Sequence, residues 1–66
     1  MTLSPRQQEI AALVVEGLSN KAIGKRLNLS HHSVGTYLYR MGKRIEGQGS
    51  PRAKAFRWWY EVRRTA

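Results

Sequence analysis

Serines at positions 4, 19, 30 and 50 each stand directly before a run that suits a helix, and they divide the chain more firmly than any other feature. Serine is a preferred N-cap because its hydroxyl accepts a hydrogen bond from an N–H that the first turn leaves unpaired. Ser4-Pro5 and Ser50-Pro51 add proline at the first helical position, where a missing N–H is harmless. Gln7 stands where it completes a capping box with Ser4. The stops are as plain. Gly17 supplies a left-handed residue, Asn28-Leu29 a turn, and Gly47-Gln48-Gly49 a break. These signals predict helices at about 5–16, 20–27, 31–46 and 51–64, with no competing strand pattern. The expected fold is all-α: one four-helix domain over residues 1–66.

Sixty-six residues enclose a small core, and below roughly 70–80 residues such a core supplies only a few kcal/mol. No cysteine is present, so neither a disulfide nor a thiolate zinc site is the staple, which makes self-association an expectation. No apolar run approaches the roughly 18–20 residues of a membrane span. The start, "MTLSPRQQEI", lacks both the basic opening and the apolar stretch of a signal peptide. A cytoplasmic protein, not bound to a membrane, is expected.

Charge is concentrated. The chain carries +8 and contains no Asp. Residues 1–19 sum to −1, residues 20–44 to +6 without a single acid, and residues 45–66 to +3. Such a one-sided block suits a polyanion, most often nucleic acid and in some proteins an anionic membrane. The alternative is a merely solvated basic surface.

The third helix carries two different faces. Val34, Leu38, Met41 and Ile45 follow steps of four, three and four, which makes one apolar stripe. His32, Thr36, Tyr39, Arg40 and Lys43 share the opposite side. About three residues join this helix to the short one before it, the spacing of a helix-turn-helix unit, whose second helix enters the DNA major groove. On that reading His31, His32, Thr36, Tyr39 and Arg40 are candidates for base edges, with Gly35 among them if the backbone approaches DNA closely. Gly35 under no constraint at all is the alternative. Lys43 and Arg44 near the helix end, and Ser19, Asn20, Lys21, Ser30 and Ser33 at the helix starts, are candidates for phosphates. The adjacent pair His31-His32 does not make a metal site, because helical ligands need i, i+4 spacing.

The stretch "LSPRQQEIAALVVEGLSNKAIGKRLNLSHHSV", followed by Leu38, resembles the LuxR/FixJ/GerE type of bacterial helix-turn-helix regulators. The likeness is ungapped over residues 3–38 and rests most on Glu16-Gly17-Leu18-Ser19-Asn20-Lys21, Ile23, Arg26-Leu27, Leu29-Ser30 and Val34. It implies a DNA-binding transcriptional regulator whose fourth helix forms a two-fold dimer contact. This chain departs from the family in five places, one of them the bulky Trp59 where a small residue is usual. Gly35 stands where a Lys is usual, Tyr37 where His is frequent, and Ala22 where an acid is typical. The connection "EGQGSP" is about two residues longer than the family's.

In "AKAFRWWYEVRR", Ala55, Phe56, Trp59 and Val62 form a stripe, Trp58 lies about 100° away, and arginines and a lysine cover the rest. Four large aromatics within five residues exceed what so small a core can cover. Phe56, Trp58, Trp59 and Tyr60 are therefore expected at a homodimer interface, with Trp59 nearer the core by the resemblance. The four Glu residues form no acid–base pair, and there is no Cys nucleophile or Asp to orient a histidine, so no enzyme is expected. Neither a cofactor, a small-molecule site nor a sensor domain is expected within these residues. The expected function is binding of a pseudo-palindromic double-stranded DNA operator as a homodimer, for repression more readily than activation. A module like region 4 of sigma factors, with RNA polymerase as partner, is the nearest alternative. A protein-binding or membrane-surface module led by the fourth helix is another.

Overall fold

In a computed structural model, described over residues 3–63, Ser4 closes the capping box read from the sequence. Its hydroxyl accepts from the Gln7 N–H at 3.2 Å, and the Gln7 side chain accepts from the Ser4 N–H at 2.9 Å. Ser19, Ser30 and Ser50 cap in the same way, accepting from the N–H groups of Ala22, Ser33 and Ala53. The four helices are α1 (Pro5–Val15), α2 (Asn20–Leu27), α3 (His31–Arg44) and α4 (Pro51–Arg57). No strand occurs among the described residues. Gly17 has φ +89° and Asn28 φ 59°, so both turns that flank α2 are made by left-handed residues. The fold is the expected all-α arrangement.

Two boundaries differ from expectation by two residues or more. α3 ends at Arg44 rather than Glu46, because Ile45 turns extended (φ −89°, ψ 120°) and delivers its side chain into the core. α4 holds α-geometry for only seven residues and then widens into a π-turn, Trp58–Val62. The expected end of the last helix, near Arg64, lies outside the described residues.

α1 packs on α3 and α4, and α3 packs on both α2 and α4. The core takes Leu3 and, from α1, Ile10, Ala11, Leu13 and Val14. It also takes Ile23, all four residues of the α3 stripe, Ala55 and Trp58. Fully burying a side chain such as Val34 or Leu38 contributes about 1.5–3 kcal/mol, so the stripe alone holds α3 in one rotational setting. The opposite face is thereby presented outward.

One glycine is indispensable to the α2–α3 turn. A Cβ on Gly24 would collide with the backbone oxygen of Leu29, whose own N–H donates to the Gly24 carbonyl at 2.7 Å. Only a residue without a side chain lets the turn fold back this closely over α2.

Candidate DNA interface

α3 is 14 residues long, about 21 Å at 1.5 Å per residue, and so is of a size to lie within a major groove. His31, His32, Thr36, Tyr39, Arg40, Lys43 and Arg44 are all exposed, whereas Val34, Leu38, Met41 and Ile45 are buried. The two faces separate as the sequence spacing requires. Several outer side chains are already paired with one another. The His31 and His32 rings lie 4.1 Å apart, and Lys43 Nζ sits 4.8 Å from the centre of the Tyr39 ring, itself 58% exposed. Thr36 Oγ1 donates to the His32 carbonyl one turn earlier, at 3.2 Å. Ser33, Thr36, Tyr37 and Arg40 line a shallow groove of about 200 Å³ along one flank.

The candidate phosphate residues divide by what their side chains already do. Lys21 is exposed, together with Lys25 and Arg26 on the same helix. The Ser19 hydroxyl accepts from Ala22 and is a cap. The Ser30 hydroxyl accepts from the Ser33 N–H and donates to Ser33 Oγ at 3.1 Å. Asn20 is revised most. It is half-buried, and its Oδ1 accepts from Arg52 at 2.8 Å, so its first role is to receive a strut from α4.

Gly35 does not sit on the midline of the outer face. A Cβ built there would meet only Asn20 Nδ2, at 3.9 Å, so the position borders α2 and has room for a methyl group.

Three cations of α4 turn inward, a role that sequence reasoning missed. Arg52 reaches the Leu18 carbonyl as well as Asn20. Lys54 donates to the Gly42 carbonyl at 3.0 Å. Arg57 donates to the carbonyls of Glu46 (3.0 Å) and Gln48 (3.1 Å). Lys54 thereby satisfies a carbonyl in the last turn of α3, where a cation is favoured, while Arg52 and Arg57 satisfy carbonyls of the segments before α2 and after α3. The available signal was their position, directly after a glycine-broken loop whose own carbonyls have no helix to pair them.

The same anchors correct the reading of the aromatic stretch. Trp58 is 5% exposed and lies in the core, while Trp59 is only partly buried, the reverse of the expected order. Around the helix, Arg52 lies on one side of the Ala55–Trp58 line and Lys54 and Arg57 on the other. Their bonds rotate that line inward and leave Phe56 42% and Tyr60 50% exposed. Trp58 is therefore not available to a partner, and its buried indole N–H finds no acceptor among the described residues. Phe56 and Tyr60 stack on each other at 6.2 Å, and the Arg63 guanidinium covers Trp59 at 4.0 Å.

Among the described residues, no helix is long and apolar enough to cross a membrane. Neither a curated protein nor a solved structure matches the chain. Residues 1–54 match the family described as "Bacterial regulatory proteins, luxR family", a span that includes α1, α2, the turn and all of α3 and stops within α4. With an outward, acid-free third helix behind a glycine-tightened turn, and with most of its length matched, the chain belongs to the LuxR family of bacterial regulatory proteins, whose helix-turn-helix domains bind DNA to regulate transcription.

Proposed function

We propose that this protein binds a pseudo-palindromic duplex operator as a homodimer, with α3 of each subunit in the major groove, and represses transcription in the bacterial nucleoid. The observation that carries the reading is the outer face of α3, which is exposed along its whole length, polar and basic, and free of acid from end to end. His32, Thr36, Tyr39 and Arg40 face base edges on this reading, and His31 stands at the entering end. Lys21, Ser33, Lys43 and Arg44 meet phosphates. Lys25 and Arg26, exposed on α2, extend the positive surface.

The second subunit docks on the outer side of α4 and its π-turn, where Phe56 and Tyr60 form a stacked, exposed pair beside the half-buried Trp59. This surface lies beyond the residues that match the family, so its support is the exposure of the rings themselves. Large aromatics that a small domain leaves in water are the residue type enriched at interfaces. Repression is preferred to activation because occupying an operator needs no contact beyond the DNA.

Selection of bound sequences from a random duplex pool tests the reading. The expected result is a recovered palindrome whose half-sites lie about one helical turn, 10–10.5 base pairs, apart. Recovery of a single asymmetric site would contradict the homodimer, and recovery of no sequence preference would contradict base reading by α3.

A further inference from the structure

Resting on the DNA-binding reading above, we propose that Thr36 reads the C5 methyl group of a thymine through its own methyl group. Thr36 stands at the centre of the outer face of α3, with His32 one turn before it and Arg40 one turn after. Its hydroxyl does not face outward as a donor. Oγ1 donates to the His32 carbonyl at 3.2 Å, which commits the only hydroxyl hydrogen. That bond also selects the χ1 setting of a β-branched residue that has few settings in a helix. The Cγ2 methyl is then the end of the side chain left free for contact, and it is held in place.

The surroundings fit the same ligand. Thr36 lines the 200 Å³ groove with Ser33, Tyr37 and Arg40. Tyr37 is half-buried and packs on the core, so its ring is a fixed wall beside Thr36. Arg40 stands exposed at the rim, where it meets a phosphate or a guanine next to the base being read. In the major groove thymine is the only base that presents a methyl group. A methyl contact thus specifies a base pair without a hydrogen bond from Thr36.

The test uses the duplex recovered from a random pool by the wild-type protein, and copies in which deoxyuridine replaces thymidine at one position at a time. Deoxyuridine removes the methyl group and leaves base pairing intact. The wild-type protein should lose about fourfold in affinity at one thymine per half-site, the weight of one buried methyl group. Thr36→Ser, which keeps the hydroxyl, should bind the two duplexes equally, whereas Thr36→Val should keep the preference for thymine. Thr36 is exposed, so both variants are expected to fold, and circular dichroism checks that they do. Equal binding of every deoxyuridine copy by the wild-type protein would overturn the inference. So would a thymine preference that survives in Thr36→Ser or disappears only in Thr36→Val. A protein that retains no duplex even at low salt would instead overturn the DNA-binding reading, and this inference with it.

Discussion

Arg52, in the first turn of α4, donates to the side-chain oxygen of Asn20, the first residue of α2, at 2.8 Å and across 32 positions of sequence. Its other guanidinium nitrogen donates to the Leu18 carbonyl in the turn before α2. The last helix thus fixes the start of the helix-turn-helix unit directly, and not only through the core.

Removing that strut should be costly. Arg52→Ala leaves the Leu18 carbonyl and Asn20 Oδ1 without their charged donor, and hydrogen bonds to charged groups contribute about 1.5–3 kcal/mol each. Because the guanidinium is only partly buried, a total loss near the lower figure is expected in urea unfolding. Arg52→Lys should recover less than half of it, since one ammonium does not reproduce a planar two-nitrogen fork. A wild-type midpoint in Arg52→Ala would show that the strut is incidental.

Gly24 and Gly35, both in the helix-turn-helix unit, should respond in opposite directions to the same substitution. Gly24→Ala forces a methyl group against the Leu29 backbone oxygen and should destabilise by about 1–3 kcal/mol, the usual range for overpacking. Gly35→Ala has room and should stabilise by roughly 0.5–1 kcal/mol through helix propensity. If α3 brings its backbone close to DNA at Gly35, the same alanine weakens operator binding while raising the melting temperature. Thermal melts alongside a binding titration separate the two effects.

The aromatic residues of the last helix should divide by burial. Trp58→Ala empties a core position and should cost about 3–5 kcal/mol, enough to unfold a domain of this size. Phe56→Ala and Tyr60→Ala should keep helical circular dichroism nearly intact, shift sedimentation toward monomer, and remove cooperative occupancy of two half-sites while sparing one. A folded Trp58→Ala protein would contradict the core assignment. Unchanged dimerisation in the double variant of Phe56 and Tyr60 would place the interface elsewhere.

What the sequence made legible follows from the range of each signal. Serine caps, left-handed turn residues and the stripe from Val34 to Ile45 are local, and they located α1 to α3 and the outer face of α3. Gly24 was not legible, because its need arises from a backbone oxygen five residues later that only the folded turn brings close. The rotation of α4 was misread for a related reason. Spacing favoured the stripe through Phe56 and Trp59, whereas the structure buries the line through Ala55 and Trp58. The choice between them rests on Arg52, Lys54 and Arg57 reaching carbonyls in distant segments. Side-chain bonds such as those of Asn20 and Thr36 are invisible to spacing altogether, and they decide what those residues have left to offer DNA.

The central claim, that the acid-free face of α2 and α3 engages the phosphate backbone of duplex DNA, is tested most directly by affinity as a function of salt. Each phosphate neutralised on duplex DNA adds about −0.9 to the slope of log affinity against log salt concentration. A dimer making several contacts per subunit is expected to give a slope of −4 or steeper, roughly, on a duplex selected by the protein. Lys43→Ala should flatten that slope by about one unit and weaken all sequences alike. A slope near zero for the wild-type protein would contradict the account.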